Sequence, residues 1–284
     1  SGVQNLPDIK AEILDARRQI RDRDLDFKAF DPNSYNVNIS VAENILFGHA
    51  IDSSFEPAQL SANRQVTDLL HQVGLFDDFL MMGHKVAATM AELFSGVSPE
   101  SELFDQFSLI SGDDLVVLEG ILQRLTDDQL ASLKQLPEAD QEALRALVYR
   151  LVPARHRLGI IDNEVQDRLL EVRKLLQEAL GPENSLVSFL DPEDFNPGLD
   201  FQSNILFGAM PYGKPAVRDA ISKALDEVIE NVGLRSLVIA LGLTADAGTS
   251  GGRLSSIQRQ KLGFARALMK NPDLLVVDEA LAPF

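Results

Sequence analysis

An internal repeat constrains this chain more than any other feature. Asp31-Pro-Asn-Ser-Tyr-Asn-Val-Asn-Ile-Ser-Val-Ala-Glu-Asn-Ile-Leu-Phe-Gly48 aligns without a gap to Asp191-Pro-Glu-Asp-Phe-Asn-Pro-Gly-Leu-Asp-Phe-Gln-Ser-Asn-Ile-Leu-Phe-Gly208, at a spacing of 160. Eight of the eighteen positions are identical, and Tyr35 stands opposite Phe195. Further on, Val73-Gly74-Leu75 and Gly83 match Val232-Gly233-Leu234 and Gly242 at a spacing of 159. One indel between two matched blocks is the trace a duplication leaves, so two copies of one module are expected.

Each copy shows the same order of elements. An amphipathic helix comes first, with Ile9, Ile13, Leu14 and Ile20 on one face in the first copy and Leu169, Val172, Leu175 and Leu176 in the second. A short strand-like run follows, 25–30 or 186–190, then an Asp-Pro turn and the Asn-Ile-Leu-Phe-Gly segment. In the second copy Pro215 opens a helix, in the first-turn slot that proline tolerates. Its apolar stripe runs from Val217 to Val232, and Gly233 is placed to end it.

The boundaries that follow are a first, degenerate module at 1–96, an acidic helical linker at 97–180, and a second module at 181–284. Residues 97–145 hold eleven acids and three bases. Thr126 with Gln129 reads as a capping box, and Pro137 as the opening of a helix carrying Leu144, Leu147, Val148 and Leu151 on one face. The bland reading of this stretch is a solvated spacer; the sharper one is a docking surface for a basic partner.

Composition excludes several classes. With 43 acidic and 26 basic residues the net charge is -17, which repels phosphate backbones and argues against nucleic acid as a partner. There is no cysteine, so disulfides, thiolate metal sites and a cysteine nucleophile are excluded. The four histidines are scattered, with no metal-protease spacing. The longest apolar run is seven residues, 237–243, far short of the roughly 20 that a membrane helix needs.

The chemistry lies near the end. Ser255 or Ser256 can cap a helix running to about Lys270, whose free first-turn amides attract phosphate. Asn271-Pro272 stops it. Leu274-Leu-Val-Val277 reads as a buried strand ending in Asp278 and Glu279. Carboxylates in that setting suit a magnesium ion and the activation of a water. Between Arg253 and Asp273 there are five bases and one acid, against the trend of the whole chain.

These residues resemble the ATP-binding cassette ATPases of the exporter type. Leu254, Ser255, Gln258, Arg259, Gln260, Lys261 and Ala265-Arg-Ala-Leu268 match the family's signature helix, and Leu274-Leu-Val-Val-Asp-Glu-Ala280 its Walker B segment. Gly248 and Gly251 fall where exporters have the glycines before the signature, and Asn204-Ile-Leu-Phe-Gly208 resembles the segment after their Q-loop. The resemblance implies ATP and magnesium as cofactors in the intact protein. It implies Ser255, Ser256 and Gln258 toward nucleotide, Asp278 toward the metal and Glu279 as the catalytic base. It also implies a second cassette and transmembrane domains as partners, at the cytoplasmic face of a membrane (the inner membrane in a bacterium).

Departures from the family accompany the matches. Ser256 and Ile257 replace the two signature glycines, and a β-branched Ile257 cannot readily take glycine-only dihedrals. The first copy has no signature after Gly83. Gly208-Ala-Met-Pro-Tyr-Gly-Lys-Pro215 imitates a phosphate-binding loop, but Pro215 stands where a magnesium-binding hydroxyl is needed and Pro211 lacks an amide. The family's true phosphate-binding loop and switch histidine are expected outside residues 1–284. The expected fold is mainly α with a small β component: a duplicated signature-type helical subdomain plus part of an α/β nucleotide-hydrolase core. Its strands at 25–30, 186–190 and 274–278 are expected to pair mostly in parallel.

Overall fold

The computed structural model describes residues 9–98, 101, 104, 109–125, 129–244, 246–248, 251–254 and 256–275. Contacts group the chain up to Val232 into one compact unit and the residues from Gly233 onward into a second. In the first unit the helices are α1 (Lys10–Arg21), α2 (Val41–Leu46), α3 (Arg64–Gln72), α4 (Phe76–Leu93) and α5 (Gly112–Leu122). They continue with α6 (Leu130–Leu133), α7 (Glu138–Arg150), α8 (Pro153–His156), α9 (Asn163–Leu180), α10 (Phe201–Leu206) and α11 (Pro215–Asn231). The second unit holds α12 (Arg235–Leu243) and α13 (Ser256–Met269). The chain is therefore mainly helical, with two short strands, β1 (Gly48–Ala50) and β2 (Val187–Phe189).

The sheet differs from the sequence expectation. β1 pairs antiparallel with β2, Gly48 opposite Phe189 and Ala50 opposite Val187. The run at 25–30 contributes one antiparallel bridge, Ala29 to Gly208, and Leu274 and Leu275 lie in no strand. The partner of the 187–189 strand is thus Gly48–Ala50, which begins on the last residue of Asn44-Ile-Leu-Phe-Gly48 and looks like loop in sequence. Both pairings need close backbone approach. A Cβ on Gly48 would sit 2.6 Å from the Ser188 carbonyl oxygen, and one on Gly208 would sit 2.9 Å from that of Lys28. Ile51 extends the first ladder by donating its N–H to Leu186. Pro211 stands 160 residues after Ile51 and has no N–H, so the second ladder stops at a bridge.

Local chemistry fixes the two Asp-Pro loops alike. The Asn44 side chain accepts the N–H of Asn36 at 2.9 Å and donates to the carbonyls of Asn36 and Ser40. Asn204 does the same with Asn196 and Asp200. Ser40 caps α2 through a capping box with Glu43, and Asp200 caps α10 alone. Phe47 and Phe207 end those helices in the left-handed region, at φ 41° and 43°.

Each loop is closed by a helix from the other half. α1 turns Ile13, Ala16, Arg17 and Ile20 inward and packs on α10, while α9 turns Val172, Arg173 and Leu176 inward and packs on α2. Arg17 donates from Nε to the Asn204 carbonyl at 2.9 Å and from Nη1 to the carbonyls of Asp191 and Pro192. Arg173 donates from Nε to the Asn44 carbonyl at 2.7 Å and from Nη1 to those of Asp31, Pro32 and Ser34. The guanidinium of Arg17 lies over the Phe207 ring and that of Arg173 over the Phe47 ring, 4.6 and 4.4 Å from the centroids. Arg17 and Arg173 are 156 residues apart, one helical turn short of the loop spacing, so they do not stand out in the ungapped alignment.

The stretch 97–180 does more than span a gap. α7 follows Pro137, buries Leu144, Leu147 and Val148, and packs along α4. Gly83 makes that crossing possible, because a Cβ there would lie 2.0 Å from the Leu144 carbonyl oxygen. Thr126 lies outside the described residues; Gln129 precedes α6 without a side-chain cap. Among the described residues no helix is long and apolar enough to cross a membrane.

Candidate nucleotide-facing helix

The segment expected to carry chemistry lies in the second unit. A glycine turn leads into α13, with Gly248 at φ 72° and Gly251 at φ 74°, backbone values that side chains disfavour. Its amides are already engaged locally. Gly248 donates to Asp246 Oδ1 at 2.9 Å, Gly251 to the Gly248 carbonyl at 3.1 Å and Leu254 to the Gly251 carbonyl at 3.0 Å. The Arg253 amide reaches the Ala247 carbonyl, and its guanidinium pairs with Asp246.

The start of α13 follows this turn. α13 opens at Ser256, with no acidic residue in its first turn. Gln258, Arg259 and Lys261 are exposed along the opening turns. This donor set suits the oxygens of a phosphate group. Ile257 stands in the middle of it, 39% exposed, so its branched side chain rather than bare backbone meets an approaching ligand. The helix ends as the sequence anticipates: Asn271, at φ 46°, donates to the Leu268 carbonyl, and Pro272 follows.

Of the residues singled out in sequence, Gln258 is described in full, and Ser256 as the first residue of α13. Ser255, Asp278 and Glu279 lie outside the described residues. Among the described residues no cluster of histidines and carboxylates is placed to hold a metal ion. The imitation phosphate loop at 208–215 is a turn. Lys214 pairs with Asp26 at 2.7 Å, the Tyr212 amide donates to Asn38 Oδ1, and Pro215 is the first residue of α11.

Sequence reasoning missed the two buried arginines. A basic residue on the apolar stripe of each equivalent helix was the available signal. Burial lowers the Arg17 pKa, against the pull of Glu193 and Asp191, and pushes Arg173 down to about 10, against the pull of Tyr35 and Asp31. A cavity of about 270 Å³ beside Arg17 is lined by Arg21, Phe30 and Phe207, but its cations are already partnered: Arg17 by carbonyls and Arg21 by Glu193 at 3.9 Å.

Comparison with known families gives the decisive observation: residues 143–282 match the model of the ABC transporter family, over the span that contains α13 and the Walker B segment. This span is similar to the ABC transporter family. The chain is 37% identical over 81 residues to an ATP-dependent lipid A-core flippase of Xylella fastidiosa, covering 28% of this chain and 13% of the flippase. It is 40% identical over 81 residues to the flippase of the same name from Xanthomonas euvesicatoria, with the same coverage. ABC transporter 1 of Ajellomyces capsulatus is 27% identical over 177 residues, 62% of this chain and 12% of that protein. The chain thus spans only a small part of the length of these relatives. No solved structure matches.

Proposed function

We propose that this chain is part of the ATP-binding and ATP-hydrolysing component of an exporter-type ABC transporter, working at the cytoplasmic face of a membrane. The observation that carries the reading is α13: a helix that follows a glycine turn and has a basic first half, inside the span that matches the family. In the intact protein, Ser255, Ser256 and Gln258 would face the phosphates of an ATP held mainly by a second cassette. Asp278 would hold magnesium, and Glu279 would take the proton of the attacking water. Magnesium supplies charge neutralisation on the phosphates when bound. Transmembrane domains would be the other partners. Exporter and flippase relatives support this, and so does the unfilled apolar surface of the second unit.

The repeat is read in the same proposal as two copies of one helical module, the first without the signature chemistry. The matching hydrogen bonds of Asn44 with Asn36 and Ser40, and of Asn204 with Asn196 and Asp200, support that reading.

In the intact transporter, Glu279→Gln should lower ATP turnover by about a hundredfold or more. An unchanged rate would remove Glu279 from the mechanism. The isolated chain should not bind ATP with micromolar affinity; calorimetry tests this.

The exposed Ile257 favours a second reading, a regulatory cassette that occludes ATP with little turnover. Ile257→Gly in the intact protein separates the two. A rate that rises supports the regulatory reading, and a brisk rate that stays unchanged removes it.

A further inference from the structure

The two halves of the first unit meet at two equivalent crossings, and residue sizes there are not equal. At the first crossing His49, on β1, lies against Gly198 of the second loop. A Cβ on Gly198 would fall 2.1 Å from the Cβ and Cγ of His49. A contact that close to the root of a side chain cannot be relieved by a rotamer change.

At the second crossing, 160 residues along, the sizes are exchanged. Asn38 stands where the second half has Gly198, and Ala209 stands where the first half has His49. Asn38 lies at this crossing, since its Oδ1 accepts the Tyr212 amide at 3.2 Å. The 160-residue correspondence with His49/Gly198 then sets Asn38 opposite Ala209, so that each crossing pairs one large residue with one small one. Pairing two first halves would set Asn38 against His49, large on large. Pairing two second halves would set Gly198 against Ala209 and leave a void.

We propose that these four positions make the interface selective, so that the first half accepts the second half and rejects a copy of itself. The interface is then that of a heterodimer joined in one chain. His49/Gly198 and Asn38/Ala209 set partner choice, while the shared arginine clamps supply the common attraction. The proposal rests on reading the halves as copies of one module.

The test is a thermal unfolding series on the whole 284-residue chain. Gly198→Asn should lower the midpoint by roughly 4–10 °C, from an overpacking cost of about 1–3 kcal/mol. Adding His49→Ala to it recreates the Asn38/Ala209 pairing and should recover at least half of the loss. Likewise Ala209→His should destabilise, and adding Asn38→Gly should recover it. A silent Gly198→Asn, or a His49→Ala/Gly198→Asn double variant no more stable than Gly198→Asn alone, overturns the pairing rule. Recovery at the first crossing without recovery at the second overturns the equivalence of the halves instead, and with it the copy reading.

Discussion

Helices α4 and α12 follow the same sequence cue, Val-Gly-Leu, and each carries a glycine at the matching place, yet their surroundings are opposite. α4 buries Phe79, Leu80, Val86 and Ala87 and brings Gly83 against the backbone of α7. α12 has no buried residue: Ile239 is 54% exposed, Leu243 is 82% exposed, and Gly242 faces open space. α13 continues the pattern with Leu262, Phe264, Leu268 and Met269 exposed. Where the chain supplies a covering helix, the module is a closed core. In the second unit the same kind of helix is left bare.

Four substitutions probe the contrast, from the largest effect down. Arg173→Met removes the donor to four backbone carbonyls of a buried loop and should cost about 3–5 kcal/mol in urea unfolding. No substitution of an exposed residue on α12 should come near that value. Gly83→Ala should force α4 and α7 apart and cost about 1–3 kcal/mol or more by the same measurement. A neutral result would mean that the α4–α7 crossing is looser than drawn.

Asp114 offers a pH-dependent probe. Burial raises its pKa, but the Ser111 amide and hydroxyl and the Arg150 guanidinium outweigh this, and the carboxyl lies below its ordinary value. A depressed folded-state pKa contributes stability that is present above the unfolded value, about 4, and is lost as pH falls through the folded one. Asp114→Asn should therefore destabilise at pH 7 by about 1 kcal/mol, with the difference from the parent shrinking below pH 4. Denaturant midpoints across that range would show it. The smallest effect, with the opposite sign, belongs to Gly242→Ala. Nothing lies within 4 Å of a Cβ there, and the helix should gain up to about 1 kcal/mol. A loss instead would show that the face of α12 is covered after all.

The helices and their faces were legible in the sequence because apolar periodicity and caps are local. Pro215, Pro137 and the α1 and α9 stripes are where the pattern puts them. The sheet was not legible, because its pairing joins residues about 140 positions apart and one strand lacks any strand-like composition. The reciprocal clamp escaped for a related reason: a single arginine on an apolar stripe looks like an interruption until the loop it caps is in place. In the candidate site, motif order was readable and pointed to the family. The local engagement of the glycine-turn amides needed coordinates.

The reciprocal clamp also sets a timetable. Arg17 waits for a carbonyl 187 residues further along the chain. At about 5–20 residues per second, synthesis delivers that partner roughly 10–40 s after the arginine itself. Throughout that interval the apolar face of α1, with Ile13 and Ile20, has nowhere to dock. A nascent chain of this design is therefore exposed to chaperones, proteases and neighbouring nascent chains until its second loop is made.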